Sequence, residues 1–285
     1  MRVVKEGVES IRPGRNLFYR ELHLGTGSEI ATFNLVMLHG TCASSAQFDF
    51  LLCSLQEKDL SACCYLYDAV GCGRSPTLSD YAAYHTDEQV LDLKAIMDTR
   101  IDPSRPTILL GHSYAPTIIM RYLCQNDDSR VKACIFLSTA IIGGPLPITN
   151  GGHPLFGLPV PVLKCIQPWL TKEFLKMAFD PSADAALVEA SRVASNKNSM
   201  CICKWYQKHH QFAILEEAKA VSHLPVLIMH GVSDGIIPKE GGQHLADSIG
   251  EYAAFKIIEM ASHQVMEERP DEVAKEVMAF VQGLL

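Results

Sequence analysis

Basic charge is scarce in this sequence, and no long apolar run is unbroken. Lys and Arg number 25 against 32 Asp and Glu, a formal net charge of -7 at pH 7. No dense Lys/Arg stripe offsets that balance, so no basic field exists for a phosphate backbone and nucleic acid is excluded as a partner. The opening residues, Met1 to Gly14, alternate charged and apolar side chains, unlike a signal peptide or a spanning helix. A cytoplasmic protein is expected. The stretch from Ala133 to Leu163 lacks Asp, Glu, Lys and Arg and is long enough for a membrane. Its prolines (Pro145, Pro147, Pro154, Pro159, Pro161) forbid an unbroken helix there. Internal repeats and low-complexity tracts are missing as well, which excludes solenoids and linkers.

Cysteine is plentiful, with ten scattered residues, some adjacent (Cys63, Cys64) and some inside apolar runs (Cys134). That usage reads as reduced, buried small hydrophobes of a cytosolic protein rather than a disulfide framework. Cys201 and Cys203 lie near His209 and His210, but no second pair stands at ligand spacing, so they are read as structural and no metal is expected. Hydrophobic residues make up 48% of the 285 positions and charged ones 20%. Such a chain buries a sizeable core, and one principal domain with an insertion is the default.

Short apolar runs alternate with helical patterns, the signature of buried parallel strands joined by crossover helices. The runs are Leu35–Leu38, Cys63–Tyr67, Thr107–Leu110, Ala133–Leu137, Val226–Met229 and Phe255–Ile258, preceded by an antiparallel start around Leu17–Leu22. The fold class is therefore α/β, with a mostly parallel central sheet flanked by helices. Val90, Leu93, Ile96 and Met97 mark one packing helix, and Val273, Val277, Val281 and Leu284 mark another at the C-terminus. The alternation breaks between Gly143 and Ala220. A core of residues 1–142 and 221–285 carrying an inserted helical cap, 143–220, is expected. Within the cap Ile166, Leu170, Phe174 and Ala178 follow an i, i+4 rhythm beside Trp169 and Phe179, a surface that either seals the cap to the core or faces substrate.

The chemistry gathers at strand ends. After Thr107–Leu110 comes Gly111-His112-Ser113-Tyr114-Ala115, then Ile118, Ile119, Tyr122 and Leu123 at helical spacing: strand, sharp turn, helix, with serine at the turn. A serine held this way needs small neighbours two residues before and after, and Gly111 and Ala115 supply them. A lone G-x-S-x-small match is common by chance; the flanking strand and helix give it weight. A hydroxyl also needs an imidazole to take its proton and donors for the oxyanion that follows. His39-Gly40 ends the strand Leu35–Leu38, so the backbone N–H of Thr41 becomes one donor and that of Tyr114 the other. Asp234 follows the strand Val226–Met229, and His263 follows Phe255–Ile258, both at the edge where ligands collect in such sheets. Any one His or Asp is more often structural than catalytic. Three residues at three strand ends in the order Ser, Asp, His are harder to dismiss.

On these residues the chain resembles the α/β-hydrolase superfamily, over essentially all of 15–285. Asp68-x-x-Gly71-x-Gly73-x-Ser75 is similar to the loop those enzymes carry after the fourth strand, and His263 to Pro270 to their His-x-x-x-x-Glu-x-Pro ending. Gly71-Cys72-Gly73 lacks the third glycine of a dinucleotide turn, so a Rossmann reading is rejected. Gly-His-Ser-Tyr and the stretch Phe156–Phe179 look most like the α/β-hydrolase domain-containing protein 8 subgroup, relatives of monoacylglycerol and phospholipid hydrolases of lipid metabolism. Two departures stand out: Ala115 replaces the usual glycine, and Thr41-Cys42-Ala43 replaces a glycine-rich stretch. Relatives that transfer acyl groups carry Asp where Glu268 stands here, which speaks against an acyltransferase.

The expected activity is carboxylic-ester hydrolysis without a cofactor: Ser113 as nucleophile, His263 as base, Asp234 orienting it, and the Thr41 and Tyr114 amides as oxyanion hole. His39, Gly40 and His112 are expected beside the substrate, with Leu170, Phe174 and Phe179 lining an acyl pocket for an apolar, lipid-like ester. Peripheral membrane contact through the cap is consistent with such a substrate. Two rivals remain open: a hydrolase-fold receptor with little turnover, and an enzyme cleaving thioesters, amides or carbon–carbon bonds with the same triad.

Overall fold

The computed structural model describes residues 1–25, 31–144 and 150–284; Pro145 and Pro147 lie outside these. Eight strands form one sheet: β1 (Arg2–Arg12), β2 (Arg15–Leu24), β3 (Phe33–Leu38), β4 (Ala62–Tyr67), β5 (Thr107–His112), β6 (Val131–Leu137), β7 (Val226–Gly231) and β8 (Ala253–Ile258). Their order is β1-β2-β4-β3-β5-β6-β7-β8. The pairs β1/β2 and β2/β4 are antiparallel, and every pairing from β4/β3 through β7/β8 is parallel. The helices are α1 (Asp49–Glu57), α2 (Thr86–Thr99), α3 (Ala115–Gln125), α4 (Val160–Ala178), α5 (Ala185–Asn196), α6 (Met200–His209), α7 (Leu215–Lys219), α8 (Lys239–Ile249), α9 (Val265–Glu268) and α10 (Pro270–Gln282).

All six apolar runs lie in parallel strands. Because side chains alternate across a strand, Val36 and Leu38 join the apolar cluster under α2, α3 and α8, while Leu35 and Met37 join the one under α1, α9 and α10. Helices thus cover both faces, and the inner strands are almost wholly apolar because neither face meets water; β8, the other edge, carries the exposed Ala254 and Lys256. The sequence reading found β2 and missed β1. That strand is an edge: it pairs with β2 alone, and Val3, Val4 and Val8 are exposed. From sequence, its alternating charged and apolar side chains say only that it is unlike a leader or a spanning helix; its ladder supplies the order that burial supplies elsewhere, and its charged side chains guard the open edge. Arg12 at its end and Arg15 on β2 both reach the buried Asp92 of α2, each at 2.8 Å.

Between β6 and β7 stand α4 to α7, with no strand among the described residues. The buried side of α4 is Leu163, Thr171, Leu175 and Ala178. This differs from the expected Ile166-Leu170-Phe174-Ala178 stripe, because the helix turns Phe174 outward. Packing returns to the core before Ala220: Ala213, Ala218 and Val221 are fully buried in the cluster under α3 and α8. Glu217 of α7 pairs with Arg121 of α3 at 2.5 Å.

Candidate active site

Ser113 stands between β5 and α3 with φ +59°, a left-handed backbone that L-residues rarely adopt. The turn is forced by contact on both sides. A Cβ on Gly111 would lie 2.9 Å from Pro116 N and 2.9 Å from Ile119 Cδ1, so strand and helix meet only if that position is glycine. Ser113 N donates to the Leu137 carbonyl at 2.8 Å, and Thr139 Oγ1 donates to the Ser113 carbonyl at 2.7 Å, tying the turn to the end of β6. The Ser113 side chain remains partly exposed.

His263 Nε2 lies 3.0 Å from Ser113 Oγ, and His263 Nδ1 lies 2.9 Å from Asp234 Oδ2. Asp234 is buried but fully supplied with donors. Its Oδ1 accepts the N–H groups of Ile236 and Ile237, both at 2.9 Å, and His230 Nε2 lies 3.1 Å from its Oδ2. Burial alone would raise its pKa; the His263 charge and the bonds from His230 and His263 outweigh burial and hold the carboxyl well below the usual range. An ionised Asp234 fixes the Nδ1–H tautomer of His263, which leaves Nε2 free to accept the serine proton.

The loop after β3 approaches closely: a Cβ on Gly40 would lie 3.1 Å from Ser113 Cβ and 3.0 Å from His112 Nδ1. The backbone amides of Thr41 and Tyr114 donate to no backbone acceptor among the described residues. Cys42 has φ +57°, so a left-handed non-glycine residue turns this loop. His39 and His112, expected beside the substrate, tie the loops of the site together. His39 Nδ1 meets the Gly40 carbonyl at 2.7 Å and its Nε2 accepts from Ala69 N at 2.9 Å, so both ring nitrogens are spent. His112 Nε2 donates to the His263 carbonyl at 2.9 Å. Burial, then the neighbouring His263, pushes His112 down to about 3, so it stays neutral.

Much of the scaffold around the site comes from the far side of the sequence. The last carbonyls of α4 have no partner within the helix, and the two loops carrying Asp234 and His263 fill them. Gly235 N and Ser262 Oγ donate to Met177 O at 3.1 and 2.7 Å; His263 N donates to Ala178 O at 3.0 Å. The C-terminal end of a 19-residue helix thus abuts the backbone of His263. Glu268 closes the same joint, its two oxygens accepting from Ser262 N at 2.8 Å and Asp180 N at 2.7 Å. The Asp68 carboxylate does similar work beside the elbow, accepting from Ser45 N at 2.7 Å and Arg74 N at 2.8 Å.

Ser113, Asp234, His263, Thr41, Tyr114, His39, Gly40 and His112 therefore come together, and the proposed acyl-pocket residues do not join them. Phe179 is 6% exposed and packs with Leu175 and Ala178; Leu170 packs against Leu163 and Met200; Phe174 is 36% exposed to solvent. The cavity next to Thr41 measures about 20 Å³, lined by His39, Gly40, Tyr114, Asp92 and Tyr206 among others. That is room for a water molecule, not for an acyl chain. Sequence reading passed over His230 as a partner of Asp234, although its position four residues upstream at a strand end was a usable signal. His210, met only as a neighbour of Cys201 and Cys203, touches Thr41 and Tyr114.

Sheet order, elbow and the Ser–His–Asp relay together define an α/β-hydrolase fold with serine-hydrolase geometry. Residues 31–270 match the family model described as serine aminopeptidase, S33, and the chain belongs to that family. Protein ABHD8 of Mus musculus is 30% identical over 208 residues, a match covering 72% of this chain and 46% of that protein. The chain thus spans about half the length of that relative. A non-heme haloperoxidase of Rhodococcus erythropolis is 22% identical over 285 residues, covering 95% of this chain and 97% of that one. An esterase from Exiguobacterium antarcticum superposes with a TM-score of 0.78 at 17% identity, covering 98% of this chain and all of the other.

Proposed function

We propose that this protein is a carboxylic-ester hydrolase working through an acyl-enzyme. The observation that carries the reading is the continuous relay from Asp234 through His263 to Ser113, at 2.9 and 3.0 Å, with the serine at φ +59°. His263 takes the Ser113 proton as Oγ attacks the carbonyl carbon, and the oxyanion forms against the Thr41 and Tyr114 amides. The alkoxide then leaves with the proton returned by His263, and water repeats the sequence on the acyl-enzyme. The name of the family raises an aminopeptidase as a rival, which would need a free carboxylate for the substrate ammonium. Asp92, the carboxylate lining the adjoining cavity, is already held by Arg12 and Arg15, which supports an ester. A slow receptor is disfavoured by the full complement of donors on Asp234.

We assign an apolar acyl substrate reaching Ser113 from its exposed side rather than through the small cavity behind Thr41. The outer surface of α4 supports contact with a lipid phase: Val162 and Trp169 are exposed, the latter by 52%, with Lys164, Lys172 and Lys176 on the same helix. Among the described residues no helix is long and apolar enough to cross a membrane. Ten free thiols, half of them buried, fit a reducing compartment. The test is a fluorophosphonate probe together with p-nitrophenyl esters, an aminoacyl p-nitroanilide and a thioester. Serine labelling with ester turnover is expected. Labelling with cleavage of the anilide alone would move the protein to the peptidases, and the absence of both would make it a receptor. Sedimentation with anionic vesicles, lost in Trp169→Ser, tests the lipid contact.

A further inference from the structure

We propose that His210 is a positioning residue for the oxyanion hole, bracing both Thr41 and Tyr114; this rests on the serine-hydrolase reading above. His210 follows α6, far from the elbow in sequence, yet its Nε2 lies 2.7 Å from Thr41 Oγ1. Its ring stacks on that of Tyr114 with centroids 4.3 Å apart and planes 23° from parallel. The next residue completes the hold: Gln211 N donates to the Tyr114 hydroxyl at 2.8 Å, and that hydroxyl also lies 2.7 Å from Thr86 Oγ1. His210 is buried, and burial pushes its pKa down to about 4, so at neutral pH it is a neutral hydrogen-bonding ring and adds no charge.

An oxyanion donor counts only when it is aimed at the developing charge before the reaction, and a small loosening forfeits much of its effect. Tyr114 is fixed partly by α3, which it precedes. Thr41 sits on a short loop with the left-handed Cys42 after it, and the Ala43 N to Gly40 O bond of 3.1 Å closes that loop. The bond from His210 pins the Thr41 side chain, and with it the direction of its amide. One imidazole from the segment between β6 and β7 thereby sets the spacing of two donors borne on different core loops.

The test uses the full chain, with every rate expressed per serine titrated by the fluorophosphonate so that misfolded protein drops out. His210→Ala is expected to lower kcat by about 10- to 100-fold, less than the roughly 10²–10³ seen when a donor itself is removed, with KM changed less than about 3-fold. Affinity for a trifluoromethyl ketone, which forms a tetrahedral adduct at the serine, should fall by the same factor. His210→Gln, which keeps a hydrogen-bonding group, should recover part of the loss. If His210→Ala does not fold, Thr41→Val carries the test, since it removes the hydroxyl and keeps the shape; a loss of about 5-fold or more in both readouts is expected. In the double variant the Thr41→Val effect should largely vanish. A lower Tm with kcat and ketone affinity per titrated serine within about 2-fold of the parent would overturn the proposal and leave His210 a packing residue. Ser113→Ala run alongside separates the two readings: if it still turns over ester, the hydrolase reading fails and this inference with it.

Discussion

The two halves of the site are held by different means. At the sheet edge, Ser113, Asp234 and His263 are placed by turns a few residues long, each following its own strand. From the segment between β6 and β7, Met177, Ala178 and His210 reach the same place through bonds that span 58 positions, from Met177 to Gly235, to 169, from Thr41 to His210. Local turns give the reacting groups their identity and approximate position. The long-range bonds tie them to the segment between β6 and β7, which lends the relay no atom of its own.

The largest effects should come from the sheet edge. Ser113→Ala removes one partly exposed oxygen and almost no packing, so ester turnover and probe labelling should vanish while Tm stays within about 1 °C of the parent. Asp234→Asn should lower kcat by up to about 10⁴, the magnitude the serine-protease aspartate shows when it becomes an amide, because the amide favours the wrong imidazole tautomer. A loss of less than tenfold would mean that the Asp234 carboxylate is not what fixes the His263 tautomer.

Legibility in the sequence follows the same division. The inner parallel strands were readable because burial on both faces leaves little but apolar side chains, and β8, an edge with Lys256 exposed, was readable from its Phe255, Ile257 and Ile258. The elbow was readable because Gly111 and Ala115 answer a steric demand made within five residues. The strand β1 was not, since at an exposed edge its alternation of charged and apolar side chains comes without the burial that marks a strand elsewhere. The joint at the end of α4 was invisible for a stronger reason: its acceptors are the backbone carbonyls of Met177 and Ala178, which any residue would present. His210 had the right residue type but nothing local to say which loop it would meet. Apolar spacing on α4 could not tell which way the helix is turned: Leu175 is buried where the i, i+4 rhythm pointed to Phe174, which is exposed.

Effects at the joint should be intermediate. Glu268→Ala leaves Ser262 N and Asp180 N without their acceptor, each an unpaired polar group worth about 1–3 kcal/mol if water cannot reach it. A fall of several degrees in Tm together with a drop of about tenfold in kcat is expected, measured by thermal melts and by rates per titrated serine. Loss of stability without loss of rate would reduce the joint to scaffolding. Acid sharpens the same contrast. The Asp234 carboxyl is depressed in the folded state, so the stability it contributes is fully present above the unfolded pKa near 3.9 and is lost as pH falls toward the folded value. Melts from pH 7 down to 3 should therefore decline more steeply for the parent than for Asp234→Asn, which has no such proton to gain.

The smallest effects should come from side chains that the apolar rhythm of α4 suggested would matter most. Phe174 is 36% exposed, whereas Phe179 is 6% exposed and packed with Leu175 and Ala178. Phe174→Ser should therefore change stability by no more than about 0.5 kcal/mol, as surface replacements do. Phe179→Ser, which removes a buried ring and leaves a hydroxyl among apolar groups, should cost about 3 kcal/mol or more. Phe179 is packed inward and Phe174 faces solvent, so neither should alter the relative rates on p-nitrophenyl acetate, butyrate and octanoate. Measured across that series, the two variants should give curves parallel to the parent, displaced only by the fraction of folded protein. A flattened preference for longer acyl chains in Phe174→Ser would show that this ring turns toward substrate during the reaction, and would make the inserted segment part of the binding site as well as its brace.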